Sequence, residues 1–247
     1  MVKFKEFYEV VEKDNEGKII RKNNIPLIID CVYESRKPYK NKSDDILSKL
    51  MNIKNSGGIR YKGNINLKEY KYIVLYTTNQ DENWQDNIDA ATGVLTYHGD
   101  NKTAGQDIHE TKIHGNKILH DIFTFAKNGE RKKVPPIFMF EKYGKSDVKF
   151  RGLCVPGLVN ESKDAWLSAI WANDKDGRKY QNYIAKFTIL DLGWLVDNES
   201  VQSINCNWLS DLNNEDKELT FQSKYTPVVW REWIETGKIH ALKRKMN

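Results

Sequence analysis

The sequence predicts an α+β fold, in which a curved sheet or barrel of many strands is flanked by a few helices. Residues 70–78 are rich in aromatic and β-branched side chains, as buried strands are. Two further apolar runs, at 137–143 and 148–156, predict a hairpin whose turn contains Gly144 and Lys145. Helical patterns are fewer and shorter, which favours a sheet as the main element of the fold.

Three elements are predicted at the N-terminal end. Residues 7–20 contain the pattern of a hairpin, and an apolar run follows at 25–33. A short helix is predicted over 44–51, with Ser43 as its N-cap residue.

The middle of the chain is predicted to contain a strand, a loop and a helix. A tight turn at 92–93 leads into a strand over 94–97. A long ordered loop is predicted over 101–115. The helix that follows covers 116–125, and Asn116 is its predicted cap.

The last part of the chain adds one strand and one helix. Alternating apolar residues predict a strand over 183–190. A helix is predicted over 228–235, because Pro227 precedes it and Gly237 follows it. The tryptophans from this half are predicted to lie in the core: Trp166, Trp171, Trp194, Trp208, Trp230 and Trp233.

We expect one domain with additions at both ends. Residues 1–54 supply strands and a basic helix packed on the sheet, residues 55–190 form the core that carries the site, and residues 191–247 extend the same domain. With 247 residues, of which 39% are hydrophobic, the chain is long enough to form a packed core.

Composition argues against several classes of protein. No apolar run approaches the roughly 18 residues of a membrane span, and the charged residues 1–6 lack the hydrophobic region of a secretion signal. Cys31, Cys154 and Cys206 are odd in number and far apart, which favours reduced thiols in a cytoplasm. The net charge of +5 permits a nucleic-acid partner without requiring one. No cofactor is expected, since no phosphate-binding or dinucleotide motif is present.

The most informative residues lie between 84 and 116, where aromatic rings, carboxylates, amides and imidazoles are concentrated. This mixture suits a pocket that holds a flat polar ring, because stacking needs aromatic faces and edge recognition needs fixed donors and acceptors. The candidate pocket residues are Trp84, Asp86, Asn87, Asp89, Tyr97 and His98. The alternative structural interpretation is a hairpin turn rich in Asp and Asn around 92–93.

Within this pocket, Trp84 and Tyr97 are the candidate stacking rings, since a base taken out of a duplex loses its stacking neighbours. Asn87 is the candidate for reading the base edge. Its amide oxygen would accept from N4 of cytosine, and its nitrogen would donate to N3. The same amide fits the edge of adenine, and Asp86 and Asp89 are rivals for the role.

The loop after the pocket and a later basic run supply polar and cationic side chains for DNA backbone or groove contacts. The candidates are Asn101, Lys102, Gln106, His109, Thr111, Lys112, His114, Asn116, Lys117, Arg131, Lys132 and Lys133. The histidines and acids of this region match no zinc spacing, so no metal site is expected.

Two other functional classes stay open from the residues alone. Asp107, Glu110 and Lys112 include a Glu-x-Lys like that of many metal-dependent nucleases, although this tripeptide is common by chance. Its acidic partner would also lie in the same loop, not on a preceding core strand. The third class is an RNA-binding module that reads a modified nucleotide in a single strand.

Several segments resemble the SRA domain, which reads 5-methylcytosine. They are residues 72–76, 84–89 and 96–99. More closely, residues 92–102 and 108–116 resemble the SRA-like N-terminal domain of AspBHI-type modification-dependent restriction endonucleases. The resemblance covers roughly residues 55–240 and is strongest from 84 to 119.

This resemblance implies a curved β-barrel of the SRA/PUA kind, with a few flanking helices and a C-terminal extension. It also implies reading of 5-methylcytosine or 5-hydroxymethylcytosine in double-stranded DNA by base flipping. Cleavage would belong to a separate nuclease domain or subunit, and this chain would be a recognition domain. Trp84 and Tyr97 fall on the two stacking aromatics. Asn87 falls where SRA domains carry an Asp, and His98 falls on a Thr near the methyl group, which leaves the modification open.

Overall fold

The structure is a computed structural model. It describes residues 25–35, 45–53, 56–81, 84–193, 202–214 and 221–244, together with the backbone of three N-terminal strands at 3–4, 9–13 and 19–23. The fold is mixed α+β and is built on one large sheet, as the sequence predicts.

The described part of the chain contains fourteen strands and four α-helices. The strands are β1 (Lys3–Phe4), β2 (Glu9–Lys13), β3 (Ile19–Asn23), β4 (Leu27–Ile28), β5 (Val32–Tyr33), β6 (Ile59–Asn64), β7 (Glu69–Thr77), β8 (Asn87–Asp89), β9 (Val94–His98), β10 (Ile137–Tyr143), β11 (Asp147–Pro156), β12 (Leu167–Asn173), β13 (Lys179–Ile189) and β14 (Ser203–Ile204). The helices are α1 (Ile46–Leu50), α2 (Gly115–Lys127), α3 (Cys206–Asn214) and α4 (Val228–Thr236), with short 3-10 turns at Arg131–Lys133 and Lys163–Trp166.

Ten strands form the large sheet, whose main path runs β6-β7-β10-β11-β13-β9-β8. Neighbours along this path are antiparallel except β7 and β10, which are parallel. β12 pairs with β13, β5 pairs with β11, and β1 pairs with β5. Among the described residues no ladder joins the end strands β6 and β8, so closure into a barrel stays a prediction.

The eleven residues of β13 connect three neighbours. Its first seven residues pair with β12, residues 184–188 pair with β9, and the last three pair with β11. The strand therefore carries the residues that hold β9 in place, and β9 leads directly into the candidate site.

Helix α2 packs against the sheet through an apolar face. Ile118, Leu119, Ile122 and Phe123 are fully buried, with the 3-4 spacing of an amphipathic helix. The ring of Phe123 meets that of Phe187 on β13 at a centroid distance of 4.9 Å. This contact fixes the helix over the half of β13 that pairs with β9.

Helices α1 and α2 form where the sequence predicts them, but their caps differ. Asp45 caps α1, since its carboxylate accepts from the backbone N–H of Leu47 at 3.2 Å. The predicted cap, Ser43, lies outside the described residues. Helix α2 begins at Gly115, one residue earlier than predicted, so Asn116 lies inside its first turn and does not cap it.

Predicted core tryptophans fall into two groups. Trp208, Trp230 and Trp233 are buried, as predicted, and Trp208 packs on Trp230 at 5.6 Å. Trp171 is 65% exposed, so its assignment to the core is wrong. The reason is that β12, which the sequence pattern does not reveal, pairs only with β13 among the described strands, so Trp171 lies at the sheet edge. Trp166 is half-buried and Trp194 lies outside the described residues.

The structure describes all three cysteines and the four helices. Cys31, Cys154 and Cys206 are free thiols. In the part of the chain that the structure describes, no helix combines the length and the apolar character needed to cross a membrane.

We predict that Phe187→Ala lowers the free energy of unfolding by about 3–5 kcal/mol, because it removes a fully buried ring between β13 and α2. Trp171→Ala, at the exposed edge, should change it by less than about 0.5 kcal/mol. Urea unfolding followed by circular dichroism measures both. Equal losses for the two variants would contradict the described packing.

Candidate functional site

A cavity of about 360 Å³ lies beside the ends of β7 and β9. Strand β6 contributes Arg60 to its wall, and β7 contributes Tyr76. The segment between β7 and β8 contributes Trp84 and Asp86, and β9 contributes Tyr97. Its volume is within the range of about 300–1,000 Å³ that is usual for small-ligand sites.

Trp84 is held in the cavity wall by a specific hydrogen bond. Its indole Nε1 donates to the hydroxyl of Tyr180 on β13 at 2.9 Å. On its other side the indole meets the ring of His98 at a centroid distance of 5.3 Å. The side chain is 8% exposed and still lines the cavity, so its ring orientation is fixed before any ligand arrives.

Two tyrosines line the same cavity. Tyr97 is 3% exposed, and its hydroxyl lies within hydrogen-bond distance of the carbonyls of Gly58 (2.8 Å) and Tyr76 (3.1 Å). Burial raises the pKa of Tyr97 well above its usual value, and burial also raises the pKa of Tyr76. Both rings therefore stay neutral at physiological pH and present uncharged aromatic surface.

Asp86 is a carboxylate of the cavity wall that is held through one of its two oxygens. Its Oδ1 accepts the backbone N–H of His98 at 2.8 Å and lies 3.3 Å from Nδ1 of the same histidine. Its Oδ2 has no hydrogen bond to the described residues. One carboxylate oxygen thus anchors the side chain and the other stays available as an acceptor.

Asp100 is a second carboxylate of the cavity wall, and its role is structural. It accepts the hydroxyl of Thr111 at 2.8 Å and the backbone N–H groups of Gly115 (3.0 Å) and Asn116 (2.8 Å). These amides belong to the first turn of α2, where N–H groups lack helical partners. Asp100 therefore caps α2 from the preceding loop, and its negative charge suits that end of the helix.

Buried amides connect this cap to the sheet. Asn182 is fully buried on β13, and its Nδ2 donates to the carbonyl of Gly99 at 3.0 Å. Its Oδ1 accepts from Nδ2 of Asn116 (3.1 Å) and the backbone N–H of Asn101 (3.3 Å). Gly99 has to be glycine, because a Cβ there would lie 1.8 Å from Oδ1 of Asn116.

The predicted pocket residues divide between this cavity and its surroundings. Trp84, Asp86, Tyr97 and His98 line the cavity together. Asn87 is exposed and does not line this cavity; it lines an adjoining, smaller cavity of about 160 Å³, to which Asp86 also contributes. Asp89 is exposed, and its carboxylate accepts the N–H of Ala91 at 2.9 Å in the turn before β9. The structural interpretation as a turn thus applies to Asp89.

The predicted DNA contacts in the following loop also divide. Asn101, Thr111 and Asn116 are at most 4% exposed, and their side chains take part in the internal network. His109 is half-buried and its Nε2 lies 3.0 Å from the hydroxyl of Tyr183. The other candidates from this region are exposed or half-buried, namely Lys102, Gln106, Lys112, His114 and Lys117.

The basic run at 131–133 contributes no residue to this cavity. Arg131 donates to the carbonyls of Ile234 (3.1 Å) and Glu235 (3.3 Å), so it caps the C-terminal end of α4. Lys132 and Lys133 line a different cavity of about 780 Å³. Sequence proximity to a strand of the sheet does not determine which end of that strand a basic run faces.

Arg60 and Tyr76 are among the cavity residues that the sequence analysis missed. Arg60 is 5% exposed, and its guanidinium lies over the ring of Tyr76 at 5.5 Å. Arg60 lies on β6 and Tyr76 lies on β7. These two strands pair with each other, and both precede the 84–116 segment in the chain. The pairing of β6 with β7 brings Arg60 to the cavity beside Tyr76, and a sequence pattern does not show this pairing.

A metal-binding group is not formed by the described side chains. In the described ranges, no three His, Cys, Asp or Glu residues are arranged to hold a metal ion. Asp107, from the nuclease alternative, accepts the backbone N–H of His109 at 2.8 Å as a loop contact.

Residues 27–245 match the family described as restriction endonuclease AspBHI N-terminal, and the chain belongs to this family. The structure of the DNA modification-dependent restriction endonuclease AspBHI is 32% identical, with a TM-score of 0.77, over 91% of this chain. The chain spans 54% of that enzyme, about half of its length. No curated protein sequence matches the chain.

Two further solved structures are similar. The DNA recognition domain of the cytosine modification-dependent restriction endonuclease LpnPI is 35% identical, with a TM-score of 0.75, and 91% of this chain covers 94% of that domain. The MspJI restriction endonuclease in complex with a 27-mer oligonucleotide is 19% identical with a TM-score of 0.59, which shows a shared fold only. These matches confirm the resemblance to AspBHI-type recognition domains.

We predict that Asn182→Ala lowers the free energy of unfolding by about 2–4 kcal/mol, since it leaves the Asn116 amide and the Gly99 carbonyl buried without partners. Asn87→Ala, at an exposed asparagine, should change it by less than about 0.5 kcal/mol. Chemical unfolding measures both variants. A loss below about 1 kcal/mol for Asn182→Ala would show that the network does not hold the site.

Proposed function

We propose that this chain is a DNA recognition domain that binds duplex DNA containing a modified cytosine and takes the modified base into the 360 Å³ cavity. The observation that carries this proposal is a cavity in which aromatic rings and one half-satisfied carboxylate are held fixed by neighbouring groups. The name of the LpnPI domain, whose full length this chain nearly covers, describes cytosine modification-dependent DNA recognition and supports it.

Stacking would come from the rings of Trp84 and Tyr97, with Tyr76 as a third aromatic surface. An extruded base loses its neighbours in the duplex, and aromatic faces restore part of that loss. Because Trp84 is held by Tyr180 and His98, little ordering is needed when a base enters.

Reading of the base edge is assigned to Asp86 in preference to Asn87. The free Oδ2 of Asp86 can accept a hydrogen bond from the N4 amino group of cytosine, and a charged acceptor makes this bond strong. Asn87, the first choice from sequence, lines only the adjoining smaller cavity, whereas Asp86 lines both cavities. The acceptor also fits the N6 amino group of adenine, so Asp86 alone does not fix the base.

Contacts to the DNA backbone are assigned to the exposed lysines of the loop beside the cavity. Lys102 lines the cavity mouth, where it pairs with Asp81, and Lys112 is exposed further along the loop. Such contacts give affinity that falls with salt and carry no sequence information.

We also propose that the sheet approaches the curved SRA/PUA barrel and that cleavage belongs to another domain or subunit. The hydroxyl of Tyr97 on β9 reaches the carbonyl of Gly58, just before β6, which supports curvature that brings the two ends of the sheet together. The chain spans about half of AspBHI, which supports a separate nuclease part. Three free cysteines support a cytoplasmic location.

We predict that Trp84→Ala reduces the preference for 5-methylcytosine over plain duplexes by about 10-fold or more, because it removes one stacking face. Trp171→Ala, at an exposed tryptophan outside the cavity, should leave that preference unchanged. Gel-shift titrations with both duplexes give the ratio. If Trp84→Ala weakened binding to both duplexes equally, the indole would have no role in recognising the modified base.

We predict that Asp86→Asn weakens binding to the modified duplex by about 10- to 100-fold and leaves binding to plain DNA unchanged. The amide oxygen would stay on the His98 N–H, so the amide nitrogen would face the N4 amino group as a second donor. Asn87→Ala should have no effect on either duplex. If only Asn87→Ala weakened binding to the modified duplex, this assignment would be contradicted, and Asn87 would be the residue that contacts the base edge.

A further inference from the structure

Arg60 is a buried cation in the cavity wall that the proposed stacking and edge contacts do not use. Its Nε donates to the carbonyl of Gly57 at 3.1 Å, and its Nη1 pairs with the carboxylate of Asp45. The third nitrogen, Nη2, has no hydrogen-bond partner among the described residues. This nitrogen is not fully buried, and Arg60 lines the cavity, so Nη2 keeps accessible surface there.

The direction of this free nitrogen is fixed. The guanidinium is planar, and two of its three nitrogens are held by Gly57 and Asp45. The guanidinium carbon also lies over the ring of Tyr76, 5.5 Å from the ring centroid, which adds a cation-π contact to these two hydrogen-bonding partners. A held guanidinium presents its remaining N–H groups in one orientation, as a donor that needs no reorganisation.

We infer that Nη2 of Arg60 donates a hydrogen bond to an oxygen atom of the base held in the cavity. This inference rests on the proposed function and adds a specificity-determining residue to it. Cytosine carries one such oxygen, O2, on its ring, and a 5-hydroxymethyl group adds another at C5. The acceptor belongs to the base because Arg60 is only 5% exposed, too deep in the wall for the phosphates of a duplex at the cavity mouth.

Arg60→Lys tests the inference from the protein side. Lysine keeps a positive charge beside Asp45. Its single ammonium group lacks the planar set of N–H donors with which the guanidinium can bind Asp45 and the base at the same time. Dissociation constants are measured for duplexes that carry cytosine, 5-methylcytosine or 5-hydroxymethylcytosine at one position. Arg178→Lys is the matched control, since Arg178 also pairs with aspartates but is exposed on the turn between β12 and β13.

We expect Arg60→Lys to weaken binding by about 10- to 100-fold where the acceptor is present. Equal losses on 5-methylcytosine and 5-hydroxymethylcytosine assign O2 as the acceptor. A loss confined to 5-hydroxymethylcytosine assigns the substituent oxygen. Unchanged dissociation constants on both modified duplexes, in a variant that melts like the wild type, overturn the inference.

A test from the DNA side does not depend on the folding of a variant. The wild-type domain is titrated with 5-methylcytosine, 2-thio-5-methylcytosine and 5-hydroxymethylcytosine duplexes, since sulfur is a weak acceptor. About 10-fold weaker binding of the 2-thio base supports O2, and about 10-fold tighter binding of the hydroxymethyl base supports the substituent oxygen. Three equal affinities overturn the inference.

The two proposals fail in different ways. If the wild type does not distinguish modified from plain duplexes and Trp84→Ala changes nothing, the proposed function fails. If that distinction is present but the Arg60 and base substitutions have no effect, only the role of Arg60 fails.

Discussion

The buried hydrogen bonds around Asn182 are the constraint on which the cavity depends. This one side chain joins β13, the carbonyl of Gly99 at the end of β9, and Asn116 in the first turn of α2. Asp100 completes the connection by capping the same helix. Asn182, Gly99 and Asn116 are buried, so leaving one of their polar groups unpaired would cost about 1–3 kcal/mol, and the network is stable only when it is complete.

Because this network stabilises the scaffold, the side chains that line the cavity are available to contact a ligand. The loops that carry Trp84 and Asp86 begin and end on strands whose positions the buried amides and the α2 packing already fix. Two aspartates of the same region therefore serve different purposes. Both carboxylate oxygens of Asp100 accept hydrogen bonds from the protein. Asp86 accepts through Oδ1 only, and its Oδ2 has no hydrogen bond to the described residues. Functional side chains on loops that a rigid scaffold positions are a common arrangement for binding sites.

The sequence predicts elements whose determinants are local. The hairpin of β10 and β11 follows from two apolar runs around a glycine turn, and α4 ends at Gly237, which has the left-handed backbone that favours glycine. Trp84, Asp86, Tyr97 and His98 could be grouped from sequence because a single short segment carries them.

Features that depend on tertiary pairing could not be predicted from the same patterns. Asn116 has the residue type of an N-cap, but the cap comes from Asp100, about fifteen residues earlier. Asn87 and Asp86 are neighbours in sequence, and only the position of the chain before β9 decides which one lines the cavity. Arg131 resembles a DNA contact by charge, yet it caps a helix that lies about a hundred residues later.

The most direct test of base entry is the fluorescence of 2-aminopurine placed beside 5-methylcytosine in a duplex. Extrusion of the modified base unstacks its neighbour, so this account predicts a rise in fluorescence with the wild-type domain on modified DNA and a much smaller rise on plain DNA. Tight and selective binding of the modified duplex with no rise in fluorescence would contradict it, because recognition would then take place within the intact base stack.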